Sequence, residues 1–346
     1  MTHTNPLLDV RPHPRFDAIR ADHAEPAVRT AIENGSTAAD RLETEAKPTW
    51  SDLMQPLEEL GEPLSFAWGT MSHLLKVMNS DAWRRAHESL QPEVVAFSLR
   101  VAQSKPLFER MEALRDGAEW PSLTEPRKRI VQASIRSARL AGVGLEPDRR
   151  TRFNEIQREL AQLSTTFMNN VLDATKAYAL EIEQPEDVDG LPPSLLSACA
   201  RAARDAGRAE ATAAQGPWRV TLEAPVLVPF LKYRRRRHVG ETLSRAYIAR
   251  ASSGDLDNGP LVERILALRR EKAGLLGYRT PAEVSLVSKM AGSVEDVDAL
   301  LEKLRQASRP HAEAELDELR TFARENGQVE PLMNWDLAFW SERLRE

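Results

Sequence analysis

A chain of 346 residues with 42% hydrophobic and 29% charged side chains has enough apolar material for one large or two ordinary domains. Aromatic residues make up only 6%, and Ala, Leu, Glu and Arg dominate, which favours helix. A net charge of −5 supplies no global field to draw nucleic acid, a single cysteine excludes an intrachain disulfide and a cysteine zinc site, and no apolar run approaches membrane-spanning length.

The chain opens with "MTHTNPLLDVRPHPRF", whose first 15 residues are polar and Pro-rich and read as an extended arm. They lack the apolar core of a secretion signal, so a cytoplasmic location is the default expectation. From Phe16 a helical period takes over. "SDLMQPLEELGEPLSFAWGTMSHLLKVMN" spaces Leu53, Leu57, Leu60, Leu64 and Trp68 by three and four, a stripe that one helix face can bury. Pro56 and Pro63 predict a break into more than one segment. Met71, Met78 and the later Met290 fall on helical apolar faces and are expected to fill gaps in the core.

"WRRAHESLQPEVVAF" then places His87 before Glu88, with Gln91 one turn on. A zinc peptidase helix reads H-E-x-x-H, because two imidazoles four residues apart reach one metal from one helix face with the Glu as general base. The histidines here stand at 3, 13, 23, 73, 87, 238 and 311, and no two are three or four apart. His87 is therefore expected to be a helix-surface or inter-helix residue.

The clearest helix is "DRRTRFNEIQRELAQLSTTFMNNVLDATKAY", with Phe153, Ile156, Leu160, Leu163, Phe167 and Val171 at three or four. Its Asn169-Asn170 pair suggests surface or inter-helix hydrogen bonding. Patterning then changes. "AYALEIEQPEDVDGLPPS" reads as a short strand and a turn region, and "SLLSACARAARDAG" as a helix carrying Cys199 as a packed, inert thiol. In "GPWRVTLEAPVLVPFLKY", Trp218, Val220 and Leu222 alternate with Arg219, Thr221 and Glu223, the period of a half-buried strand. The two strands, near 177–183 and 218–224, are expected to pair as the sole β-ribbon. Pro225 and Pro229 end it, and helices are expected to return from Lys232.

"KYRRRRH" (Lys232 to His238) is the one basic block and reads as a solvated stretch at a helix start. Beyond it the punctuation is clean: Asn258 and Pro260 open a helix that Gly277 closes, Thr280-Pro281-Ala282-Glu283 is a capping box, and Ser293 precedes another helix. No fixed-period repeat is present. Nor is there a G-x-S-x-G elbow, a P-loop or a Rossmann fingerprint, and no carboxylate pair is singled out for acid–base work. On the residues alone the chain is a large helical protein without a legible active site.

Several ordered segments nevertheless resemble a known family. "TWSDLMQPLEELGEPLSFAWGTMSHLLKVMNSDAWRRAHESLQPEV", "RLAGVGLEPDRRTRFNEIQRELAQLSTTFMNNVLDATKAY", "SRAYIARAS", "ILALRREKAGLLGY", "SLVSKMA" and "WDLAFWSERL" occur in the order in which the oligopeptidase A / thimet oligopeptidase family of zinc metallopeptidases carries them. The resemblance runs from about Phe16 to the end. It implies a mainly α fold, one lobe of a two-lobe architecture with one minor β-ribbon. Its parts are an arm over 1–15, an N-terminal helical domain over 16–176, a β-ribbon with a connecting helix over 177–231, and a truncated start of the metallopeptidase catalytic region over 232–346.

In the family, the H-E-x-x-H helix, the further Glu ligand and the Tyr/His residues of the reaction follow the W-D-x-A-F-W segment. No catalytic, cofactor-binding or metal-ligating residue carries over to this sequence. The resemblance implies the N-terminal half of a zinc metalloendopeptidase that degrades short cytoplasmic peptides, inactive and without zinc alone. The alternative is a non-catalytic helical scaffold that binds peptides or a partner chain. Expected partners are short peptides and a separate C-terminal catalytic half, with neither nucleic acid nor membrane. The dense apolar set Leu332, Trp335, Leu337, Phe339 and Trp340 predicts self-association.

Overall fold

The computed structural model describes residues 5–346. Among them thirteen α-helices and one two-stranded sheet are present, so the chain is mainly α with a minor β-ribbon. The elements in chain order are α1 (Ala24–Glu45), α2 (Gln55–Val77), α3 (Asp81–Ala102), α4 (Lys105–Asp116), α5 (Glu125–Leu140), α6 (Pro147–Ala177), β1 (Ala179–Ile182), α7 (Pro193–Asp205), β2 (Trp218–Thr221), α8 (Ala224–Tyr233), α9 (Arg237–Ile248), α10 (Gly259–Leu275), α11 (Pro281–Leu286), α12 (Val294–Glu325) and α13 (Leu337–Arg345). They fall into two compact units, one formed by the chain up to Ser164 with Ile265–Val294, the other by Thr165–Arg264 with Glu295–Glu346.

In the first unit, α1, α2 and α3 close around one core. The stripe on α2 buries Leu60, Leu64, Ala67, Met71 and Leu74 at alternating spacings of four and three. Pro63 does not break this helix, contrary to the sequence expectation. The ladder bond it removes belongs to the carbonyl of exposed Glu59, which solvent can satisfy. Of the expected arm, residues 1–4 lie outside the described residues. Residues 5–15 form turns and bends, and Leu7 is fully buried against the α1–α3 core. Asn5 holds that entry by donating to the His23 carbonyl at 2.8 Å. A second core joins α4, α5 and the Trp50–Met54 turn through Leu53, Leu107, Leu114, Val131 and Ile135.

In the second unit β1 and β2 pair antiparallel, with Leu180 opposite Val220 and Ile182 opposite Trp218. Trp218, Val220 and Leu222 point into a core with Cys199, Leu227, Phe230 and Leu243, as the alternation required. One expectation fails after β2. Helix resumes at Ala224, in α8, before Lys232. Pro225 sits in the first turn, where its missing N–H would have had no helical partner, so it starts the helix as readily as it ends the strand.

Candidate functional site

The basic run and the terminal tryptophan segment, far apart in sequence, are brought together in the second unit. Arg234 follows α8 and is 2% exposed. Its guanidinium donates to the Leu231 carbonyl at 3.0 Å and the Trp335 carbonyl at 2.5 Å, and lies 5.6 Å from the Phe339 ring. Burial pulls its pKa down to about 10; Asp336 opposes that shift, and Arg343 and Arg237 add to it. Room for this side chain exists because position 240, on α9, is glycine: a Cβ there would stand 1.6 Å from Arg234 Nε.

Arg237 forks onto Asp336, with Nε 3.1 Å from both carboxylate oxygens and Nη2 3.0 Å from Oδ2. The buried Asp336 also accepts from the Met333 amide at 2.9 Å and from Gln328 at 3.2 Å. Gln328 in turn accepts from the Trp340 indole at 2.8 Å. Trp335 lies under Arg237 and Arg245, and Glu342 receives both Lys232 and the Tyr233 hydroxyl. The "KYRRRRH" run is therefore solvated only in part: Arg235, Arg236 and His238 are exposed, the first and last of them meeting Asp189 and Asp187, while Lys232, Arg234 and Arg237 hold the C-terminal segment. Sequence patterning missed this because a run of like charges gives no sign of which member finds a pocket.

Of the apolar residues in that segment, Trp340 is buried against Leu319, Phe322 and Ala323 of α12, and Leu332, Trp335, Leu337 and Phe339 are half-buried. The cluster is a clamp. Its charges are matched to carboxylates, carbonyls and ring faces, and it contains no free nucleophile or poised general base.

The other residues singled out from the sequence are scattered. His87, on α3, is buried and stacks on Trp68 of α2 at 4.5 Å, an inter-helix role. Burial, with a smaller contribution from Lys76, holds its pKa below the usual histidine value, and its Nδ1 has no partner. Glu88 is exposed, and Gln91 donates to the Ala161 carbonyl at 3.3 Å. One imidazole closed against an indole, with an amide engaged elsewhere, does not fit a zinc ion. Asn170 donates to Asn258 at 2.9 Å, and Asn258 donates to the Phe167 carbonyl at 3.1 Å, which ties α6 to the start of α10. Cys199 is buried, and burial pushes its thiol up to about 11. Met71 fills the core as expected, but Met78 and Met290 do not: the first is 65% exposed at the end of α2, and the second is fully exposed in the turn after α11. Each lies past the last packed turn of its helix, so the period that placed them on an apolar face no longer applies.

One concavity of about 690 Å³ opens in the first unit among α2, α3, α4 and α5. Leu60, Leu64, Trp68, Phe97 and Met111 line it, and Glu58 is its only ionisable side chain. Such a groove can hold an apolar side chain.

Residues 28–150 match the family model "Neurolysin/Thimet oligopeptidase, N-terminal domain", and residues 230–346, which include the whole clamp, match "Peptidase family M3". Over 345 residues the chain is 45% identical to the probable cytosolic oligopeptidase A of Arabidopsis thaliana, covering 99% of this chain and 49% of the relative. It is 44% identical to the organellar oligopeptidase A, chloroplastic/mitochondrial, of the same plant, covering 99% of this chain and 44% of the relative. Identity to the oligopeptidase A of Escherichia coli K12 is 35%, covering 99% and 50%. The chain belongs to the oligopeptidase A / thimet oligopeptidase family, a zinc metallopeptidase family. It spans about half the length of the curated relatives it matches.

Proposed function

We propose that this chain is the amino-terminal half of an oligopeptidase A-like zinc metalloendopeptidase that degrades short cytoplasmic peptides. The observation that carries the reading is coverage: nearly the whole chain aligns with about half of each oligopeptidase A relative. Its own residues supply the helical wall and the clamp, and the zinc ligands come from the other half. Alone it binds no stoichiometric zinc and cuts no peptide, because one enclosed imidazole cannot stand in for a two-His, one-Glu set.

Two surface features support a missing partner. Leu300, Leu301 and Leu304 of α12 are each more than half exposed, on a helix whose first buried residue is Leu319. Leucines aligned at three and four and left in water mark a face built to be covered. The half-buried aromatic residues around Trp335 lie in the same unit and provide further surface for that partner or for self-association.

The DNA immediately downstream tests the reading. An open reading frame encoding H-E-x-x-H, in frame or as a separate gene, is expected. Its absence would favour a peptide-binding scaffold, for which the apolar groove among α2–α5 is the specific observation.

A further inference from the structure

A second concavity in the first unit, about 1030 Å³, lies between α5 and the 287–290 turn. One wall is the α5 face that carries Arg129, Gln132, Ala133 and Arg136, and the other is Val287 to Met290. Arg129 and Arg136 are two helical turns apart, about 10 Å along the axis. Neither makes a hydrogen bond or ion pair among the described residues. Their neighbours behave otherwise: Lys128 pairs with Glu125 at 2.9 Å, and Arg139 with Glu112 at 2.7 Å. The third cation, Lys289, meets only the Ser285 hydroxyl, at 2.6 Å. Glu125 is the one carboxylate on the lining and is already held by Lys128. On a chain of net charge −5, a groove with three cations and no free carboxylate is a local reversal of sign.

The same groove is apolar at its floor and lip. Ile130 and Val287 are half-buried, and Met290 is fully exposed. A thioether left wholly in water is a flexible surface that can close on varied apolar groups. We infer that this groove is a specificity subsite that takes an extended peptide segment carrying acidic side chains beside apolar ones. The inference rests on the reading that the chain handles short peptides. Two observations favour an acidic peptide over other anions. The cations are spread along about 10 Å, roughly three residues of extended chain, and do not converge on a point as for one phosphate. No aromatic side chain lines the groove, so bases would find no stacking platform.

The test uses the full chain and fluorescence anisotropy of three short fluorescein-labelled peptides: alternating Glu and Leu, the same peptide with Gln for Glu, and the same with Lys for Glu. The Glu peptide is expected to bind about tenfold more tightly than the Gln peptide at low salt, and the Lys peptide most weakly. The preference should shrink as salt rises toward about 0.5 M. The double variant R129Q/R136Q, at one exposed and one half-buried position of the groove wall and checked for unchanged circular dichroism, should erase the preference and leave Gln-peptide binding as it was.

Gln-peptide binding without a Glu preference would overturn the acidic subsite and leave the peptide reading standing. No binding of any of the three would overturn both. A Glu preference that survives in R129Q/R136Q would place the recognition elsewhere and overturn the assignment. Displacement of the Glu peptide by single-stranded oligonucleotide or inorganic phosphate at lower concentration than by unlabelled Glu peptide would overturn it in favour of those anions.

Discussion

At Gly240 one methyl group decides whether Arg234 can be buried. The Cβ of an alanine would fall within bonding distance of the guanidinium, so Gly240→Ala must expel Arg234 and strip the Trp335 carbonyl of its donor. A loss of about 3 kcal/mol is expected by denaturant unfolding, the upper end for overpacking. Gly69→Ala on α2 is the control: nothing lies within 4 Å of its added carbon, and the gain should be about 0.5–1 kcal/mol. His87 gives a pH test. Its folded pKa is held below its unfolded value, near 6.5, so the folded state binds fewer protons. The contribution is full above the unfolded pKa and is lost as pH falls from there toward the folded pKa. His87→Phe keeps the stack on Trp68 and cannot protonate. Unfolding midpoints at neutral pH and near pH 5 should show a smaller acid loss for the variant than for the parent; equal losses would remove His87 from the account.

Among elements, the join between α6 and α10 is the one most open to a single change. Asn258 is buried, bonded at its amide oxygen by Asn170 and donating to the Phe167 carbonyl. Asn258→Ala leaves the Asn170 amide without this acceptor and removes the second donor on the Phe167 carbonyl, which should destabilise by about 1–2 kcal/mol. Hydrogen exchange should quicken over residues 165–177, and unchanged protection there would show that the helix is held by other contacts. The elements differ in how openly the sequence announces them. The β-ribbon is legible because Trp218, Val220 and Leu222 alternate with polar residues, and α6 because its stripe persists over many turns. α8 is hidden because Leu227 and Phe230 supply a single helical interval, with Pro225 just before it and Pro229 inside it. Continuity of α2 is hidden because Pro63 breaks the backbone rule while the burial pattern runs on across it. The clamp is least legible of all. A buried arginine needs Gly240 to vacate its space and the Trp335 carbonyl to accept its hydrogen bond, and no local window contains all three.

For the molecule as a whole, family membership is written in ordered segments, whereas a site is not: no two of the seven histidines stand three or four apart. The exposed leucines of α12 bear on the proposed partner half. Leu301→Glu with Leu304→Glu should leave the melting temperature within about 1–2 °C of the parent, since surface changes away from packed features act weakly. The same pair should weaken any association with a C-terminal half. The most direct test of the half-enzyme reading is hydrolysis of a quenched short peptide with zinc present, by the chain alone, by a separately produced C-terminal half of the 45% identical Arabidopsis relative, and by the mixture. The expected result is no cleavage by this chain alone and chelator-sensitive cleavage on mixing. Chelator-sensitive cleavage by the chain alone, with one tightly held zinc per chain, would contradict the account.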